Sequence, residues 1–222
     1  MGEVHPRVVS ALEAQLDRWR AALAGGARRI GWKIGLNFPE VECVIGRRPV
    51  IGHLTSRTLL SSGASYAVEP GAELRAETEV AISIGRAVGP GADRTEAKAA
   101  ISGVAVALEL VDVKRPPDDL EGIVIANAAH RAFAVGHACA VDPSGLEARL
   151  ALNGQLCESA AAGDDYGETV HAVAQLLGAV GEGLRRGDRI LAGSLTHVPV
   201  QPGDGIRAEI DALGGLDLKI VG

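Results

Sequence analysis

Glu77 and Glu79 stand two residues apart in Arg75–Ile84, and Glu109 interrupts the apolar run Val104–Val111. An extended chain turns alternate side chains to opposite faces. Glu77 and Glu79 therefore share a face with Ala81 and Ser83, while Thr78, Val80, Ile82 and Ile84 take the other. A carboxylate in a run as apolar as that around Glu109 pays a large desolvation penalty unless it is partnered or shifts its pKa. Three carboxylates meeting at one point also repel. A hard divalent cation resolves both problems, and oxygen ligands are what Mg2+ or Mn2+ prefers. Spacing alone leaves two other readings open. Glu77 and Glu79 fit a solvated strand face, and Glu109 fits a buried ion pair with Lys33 or Arg75.

The elements that must hold these residues are legible in outline. The chain has 222 residues, 47% hydrophobic and only 3% aromatic, so its core must be built from Ala, Val, Ile and Leu. Helical spacing marks residues 7–24, closed by Gly25-Gly26. A glycine-punctuated strand follows at Arg29–Leu36, then a turn at Asn37–Glu40 leading into a helical segment, Val41–Gly46. Residues 47–72 read as loop. Asp93 with Glu96 forms a capping box for a helix of about two turns, ending near Gly103. Residues 123–135 are mixed. Leu146–Leu156 reads as a hairpin through Asn153-Gly154. A helix is expected over Glu168–Arg186, and strands over Arg189–Leu195, Ile206–Ile210 and Leu216–Val221. The expected organisation is a single α+β, β-rich domain over 1–222, with an N-terminal helix in 1–27 and the rest of the fold over 28–222.

Composition also bears on partners and location. The net charge is −6 and no basic stripe carries interleaved aromatics, so nucleic acid is not an expected partner. Cys43, Cys139 and Cys157 are odd in number and widely spaced, as expected for reduced thiols and not for a disulfide framework or zinc site. No signal-peptide pattern and no run of transmembrane length is seen, which points to a cytoplasmic protein without a membrane partner.

Several motifs occur in a telling order: Gly31-Trp32-Lys33-Ile34-Gly35-Leu36, Glu77-Thr78-Glu79, Ala107-Leu108-Glu109-Leu110-Val111-Asp112, Asn127, Gly187–Thr196 and Pro202-Gly203-Asp204. Together they resemble the fumarylacetoacetate hydrolase superfamily, closest to its 2-keto-4-pentenoate hydratase and 4-oxalocrotonate decarboxylase branch. The resemblance implies a roll of packed mixed sheets with flanking helices. It implies Mg2+ or Mn2+ held by Glu77, Glu79 and Glu109, with Lys33 as a catalytic lysine. Gly193, Ser194, Leu195, Thr196 and Asn127 become candidates for binding substrate. Relatives assemble as homodimers or larger homo-oligomers.

The chemistry so implied is that of a lyase on small 2-oxo acids, as in aromatic-compound catabolism. The cation chelates the 2-oxo acid head and stabilises an enolate, and a hydratase, a decarboxylase or an acylpyruvate C–C hydrolase then differ in the next bond. Lys33 is expected as a desolvated amine whose pKa is lowered beside the cation. Asp112 is a catalytic candidate that reads equally as a partner behind the metal ligands or as a turn residue. Ser194 and Thr196 also fit hydroxyls that satisfy turn backbone. Of the scattered histidines, His197 lies beside Thr196 and is the one to watch. His53 has no glutamate neighbour between residues 37 and 72 of the kind C–C hydrolases carry on a lid, which counts against hydrolysis. The chain departs from the hydratase pattern at Asp112-Val113-Lys114, at Ile125–Ala129 and at Asn37-Phe38. Those departures leave room for a non-catalytic homologue with a structural or regulatory role.

Overall fold

The structure is a computed structural model that describes residues 6–35, 50–116 and 118–222. Helix α1 spans Pro6–Ala24, followed by β1 (Arg29–Gly35), β2 (Val50–Thr55), β3 (Leu59–Leu60), β4 (Ser65–Ala67) and β5 (Leu74–Ile84). Next come α2 (Arg94–Lys98), β6 (Ile101–Asp112), α3 (Leu120–Ile125), β7 (His130–Val135), β8 (Glu147–Leu152) and β9 (Gln155–Ala161). Helix α4 (Tyr166–Gly178) precedes β10 (Arg189–Pro199), β11 (Gly205–Ile210) and β12 (Gly214–Val221). One sheet has seven strands in the order β2-β1-β10-β5-β6-β7-β3, and the other has five in the order β4-β12-β11-β8-β9.

Strand alternation partitions the core. Along β5 and β6 the even positions Leu74, Ala76, Val80, Val104, Val106, Leu108 and Leu110 pack with Ile206, Ala208, Leu216 and Leu218 of the five-stranded sheet. Thr78 follows the same face and donates its hydroxyl to the Arg149 carbonyl on β8. The odd positions Ala81, Ala105 and Ala107 face the other way, with Leu54, Phe133 and Leu191. Glu77, Glu79 and Glu109 lie on this second face, in line with the alternation read from sequence.

Helix α1 is fixed to the large sheet by side chains near its C-terminal half. Buried Gln15 donates through Nε2 to the carbonyls of Ile51 and Val124. The Arg29 guanidinium lies against both Trp19 and Trp32, 5.5 and 5.1 Å from the ring centroids, and forks onto Asp188 at 2.7 and 2.5 Å. Guanidinium stacking and a bidentate carboxylate together leave that charge well compensated.

Several expectations need correction. The region read as loop over 47–72 contains β2, β3 and β4, whose brief apolar pairs carry too little alternation to register. The helix expected to reach Arg186 stops at Gly178, because Gly181 adopts φ 72° and a turn follows. The capping box at Asp93 is present, but its helix ends at Lys98 because Ile101 already pairs with Ile84. The Asn153-Gly154 turn has both residues at positive φ, as a type I′ turn requires, and β9 runs on to Ala161. The expected turn at Asn37–Glu40 and helix at Val41–Gly46 lie outside the described residues, as does Cys43. Among the described cysteines, Cys139 and Cys157 are free thiols.

Candidate active site

Strand register brings the three glutamates together. Glu77 on β5 sits directly opposite Glu109 on β6, and Glu79 is opposite Ala107. One oxygen from each of Glu77, Glu79 and Glu109 falls within 4.8 Å of the others. All three residues are buried, Glu79 and Glu109 completely. The solvated-face reading of Glu77 and Glu79 is thereby excluded.

Each carboxylate is held by a protein donor at one oxygen. Glu109 Oε1 is 2.7 Å from His130 Nδ1, and the other ring nitrogen is 2.9 Å from Thr58 Oγ1. Glu79 Oε2 accepts from the Gly193 backbone N–H at 2.8 Å. Glu77 Oε1 is 2.5 Å from His197 Nδ1. Two irregularities in β10 make this possible. Between Leu191 and Ser194, and again between Ser194 and Thr196, β10 carries an extra residue relative to β5. Gly193, at φ 99°, occupies the first bulge and turns its N–H toward Glu79. The second places His197 opposite Glu77.

Glu79 Oε1 is buried with no hydrogen-bond partner among the described residues, and buried Glu109 Oε2 has only the Lys33 ammonium, 3.3 Å away. Such oxygens are costly unless something else takes their lone pairs. The geometry and donor type fit a hard divalent cation: three buried carboxylates, each with one oxygen held by the protein, and one oxygen of each within 4.8 Å of the others. Burial, followed by the charges of Glu109 and Glu77, pushes the Glu79 carboxyl well above the usual range. Burial also opposes charge on Glu109, but Lys33 and His130 outweigh it and hold this carboxyl below its ordinary value.

Lys33 on β1 is buried at 3% exposure, with its Nζ 3.3 Å from Glu109 Oε2. It donates to the Ala128 carbonyl at 3.0 Å. The lowered pKa expected for this amine is not what the protein groups produce. Burial favours the neutral amine, but Glu109, Glu77 and Glu79 together outweigh it and raise the pKa. The ion pair with Lys33 and the convergence with Glu77 and Glu79 coexist at Glu109, so those two sequence readings were not exclusive.

The carbonyl that receives Lys33 belongs to an unusual corner between α3 and β7. Asn127, Ala128 and Ala129 have φ of 64°, 50° and 66°. Left-handed backbone costs an alanine about 1–2 kcal/mol. Asn127 offsets part of that by binding β2: its Oδ1 accepts from His53 N at 2.6 Å and its Nδ2 donates to His53 O at 3.0 Å. Asn127 is thus engaged with backbone and does not line the cavity beside the glutamates.

That cavity, about 270 Å³, is bounded by Lys33, Glu77, Ala128 and Ala129, and by Gly193, Ser194, Leu195 and Thr196 on β10. The Ser194 hydroxyl donates to the Thr196 carbonyl at 2.7 Å, and Thr196 Oγ1 accepts from Thr78 N at 3.0 Å. Both hydroxyls therefore serve backbone, in residues that line the cavity. Asp112 is placed elsewhere. Its Oδ1 accepts from the N–H groups of Glu73 and Lys114, each at 3.1 Å, and its Oδ2 from Arg131 at 2.8 Å. It lines an adjoining cavity, and its hydrogen bonds go to Glu73, Lys114 and Arg131 instead of the three glutamates.

The fumarylacetoacetate (FAA) hydrolase C-terminal family matches residues 33–221, nearly the whole chain. The chain belongs to this family. It is 30% identical over 207 residues to a 4-oxalocrotonate decarboxylase of Pseudomonas sp, covering 89% of this chain and 80% of the relative. It is 32% identical over 233 residues to a 2-hydroxyhexa-2,4-dienoate hydratase of Comamonas testosteroni, covering 97% and 88%. Among solved structures, a 4-oxalocrotonate decarboxylase from Pseudomonas putida G7, complexed with magnesium and adipate, superposes with a TM-score of 0.85 at 25% identity. That match covers 96% of this chain and 86% of the other. The fold is therefore that of fumarylacetoacetate hydrolase family structures, as the ordered motifs implied.

Two donors to the carboxylates escaped the sequence reading. His130 was one of several scattered histidines, and the signal available was its place at the head of a short apolar strand, where a buried imidazole needs a partner. The Gly193 N–H carries no side-chain signature at all. His197 was singled out for its neighbour Thr196, and the structure gives it a specific role against Glu77.

Proposed function

We propose that this chain is a divalent-metal-dependent lyase acting on small 2-oxo acids, a hydratase of the 2-keto-4-pentenoate type or a 4-oxalocrotonate-type decarboxylase. The observation that carries this reading is the buried trio Glu77, Glu79 and Glu109 beside the buried ammonium of Lys33. The match to a decarboxylase and a hydratase over most of the chain supports the reaction class.

Glu77, Glu79 and Glu109 would hold Mg2+ or Mn2+. When bound, the cation supplies Lewis-acid polarisation of a 2-oxo acid head. His197, Gly193 N–H and His130 fix the three carboxylates before any ligand arrives, so little reorganisation remains at that moment. Lys33 is the group placed to hold a proton at Nζ and pass it within the cavity, with the Ala128 carbonyl fixing its direction. Gly193 to Thr196 form the opposite wall and orient the substrate. Asp112 acts at one remove, by positioning Arg131, and Asn127 by holding the corner that carries Ala128.

The test is Glu109→Ala. It should abolish both Mg2+ binding in calorimetry and turnover of a 2-oxo acid panel followed by loss of the conjugated-dienoate ultraviolet band. Normal turnover by that variant with metal present would falsify the assignment. A non-catalytic homologue is distinguished by titrating the native chain with Mg2+ and then oxalate, since a chain without this site forms no ternary complex. Among the described residues no helix is long and apolar enough to cross a membrane. A cytoplasmic homo-oligomer completes the proposal. Strand β9 at the edge of the five-stranded sheet, with Leu156 55% exposed, supports self-association, and light scattering reads it directly.

A further inference from the structure

Strand β9 is built against the usual pattern of a half-buried sheet, apolar inward and polar outward. Leu156 is 55% exposed, while Glu158 turns to the inner face. A bulge is the cause. Leu152 pairs with Gln155 and Ala151 with Leu156, but Leu150 pairs with Glu158, so Cys157 is the extra residue. Without it Cys157 would oppose Leu150, and Glu158 would follow Arg149 to the outer face. Directly opposed residues share a face, and Leu150 is buried against the seven-stranded sheet. The bulge thus points a carboxylate at the sheet that carries the glutamate trio.

Glu158 reaches β10 and lines the cavity beside the trio. It is an exposed residue, so water reaches it. One oxygen accepts from the His197 backbone N–H at 2.6 Å, and the imidazole of that same histidine holds Glu77. The other oxygen has no hydrogen-bond partner, and Glu158 forms no ion pair, among the described residues. The cavity's remaining polar side chains are engaged. Glu77 belongs to the trio, Lys33 is paired with Glu109, and the Ser194 and Thr196 hydroxyls serve backbone. Lys33 and Glu158 therefore enter one cavity from different sheets, as an ammonium and a carboxylate with an oxygen to spare.

We propose that Glu158 is a catalytic residue, the base that takes a proton from a water molecule as it adds to the substrate. The inference rests on the 2-oxo acid reading above and assigns the chain to hydration over decarboxylation, since loss of carbon dioxide needs no activated water. In a 2-oxo-3-enoate the water oxygen forms a bond to C4. The C3=C4 electron pair shifts to C2=C3, and the C2 carbonyl pair moves onto oxygen as an enolate. The proton lost by the water goes to the spare Glu158 oxygen. The enolate then re-forms its carbonyl as C3 takes a proton from Lys33 Nζ. Solvent removes the proton from Glu158 and restores the one on Lys33, so the sum is one water added across C3=C4.

The experiment compares the full Mg2+-loaded chain with its Glu158→Gln variant, whose amide oxygen still accepts from His197 N–H. Hydration of 2-oxopent-3-enoate, followed by loss of its ultraviolet absorbance, should fall about 100- to 10,000-fold in kcat. Binding of Mg2+ and of oxalate, by calorimetry, should stay as in the native chain. Exchange of the C3 hydrogens of 2-oxobutanoate in D2O, by NMR, should also persist, because it needs the enolate and Lys33 but no water addition. Full hydration by the variant would overturn the proposal. Parallel loss of oxalate binding or of exchange would show that Glu158 acts only by placing His197, and the catalytic assignment falls. A native chain that binds oxalate but does not hydrate the enoate leaves the 2-oxo acid reading standing and sinks Glu158 as the base. If the native chain binds no oxalate with Mg2+, both readings fall together.

Discussion

Replacing His130 by alanine removes a donor to the carboxylate trio without touching a carboxylate. The imidazole lies 2.7 Å from Glu109 Oε1, is fixed behind by Thr58 Oγ1 at 2.9 Å, and both His130 and Glu109 are buried. A hydrogen bond to a charged group contributes about 1.5–3 kcal/mol. Its loss frees the Glu109 carboxylate to rotate and removes part of what keeps it ionised. The expected result is a Mg2+ dissociation constant raised about 10- to 100-fold. The ring also packs on Phe133, with centroids 5.7 Å apart, so His130→Phe serves as the packing control and should show the same loss of affinity. Thr58→Val keeps the His130–Glu109 contact, loses the anchor behind it, and should cost only a few-fold. Calorimetric titration with Mg2+ reads all three, and circular dichroism confirms the sheet. Wild-type affinity in both folded His130 variants would refute the claim that the imidazole holds Glu109.

Other outcomes follow from the same geometry. Because burial and the charges of Glu109 and Glu77 hold the Glu79 carboxyl well above the usual range, Mg2+ binding should displace protons from the trio and strengthen as pH rises; calorimetry in buffers of different ionisation enthalpy counts them. Burial raises the Asp112 carboxyl, but bonds from Glu73, Lys114 and Arg131 outweigh it and hold the pKa below its ordinary value. Its stabilisation is then present above the unfolded pKa, about 3.9, and lost as pH falls through the lower folded value. Asp112→Asn should cost about 1–3 kcal/mol in urea unfolding at pH 6, with the gap to wild type closing in acid; a gap independent of pH contradicts this. Gly31 has φ 150°, and a Cβ there would lie 1.9 Å from the Arg189 carbonyl on the paired strand. Gly31→Ala should therefore cost about 3 kcal/mol or more, and urea unfolding within about 1 kcal/mol of wild type would show that the backbone yields.

What could be read in advance depended on periodicity. The odd positions of β5 carry the carboxylates and the even positions the core, because side-chain direction in a strand is set by counting. The buried charge at Glu109 made the trio one of three readings, and the ordered family motifs singled it out. Its supports were not legible. Gly193 reaches Glu79 because β10 gains two residues against β5, and a bulge is a property of pairing between distant strands. Asp112 sits one step out of phase with Glu109, and only the tertiary structure places Arg131 against it. The left-handed corner at Asn127–Ala129 carries no glycine, so nothing local announces that three successive residues turn the Ala128 carbonyl onto Lys33.

The direct pairing of Glu77 with Glu109 has a consequence for assembly of the chain. Side chains alternate with a period of two, so a one-residue slip of β6 against β5 would send Glu109 toward the five-stranded sheet and Val106 away from it, leaving Glu77 and Glu79 without their partner. Any slip by an odd number of residues therefore spoils core and chemistry together. Burial of the valines and convergence of the glutamates are two readouts of a single alignment, and capture of Mn2+ by a refolding chain would time the moment at which its central strands find their partners.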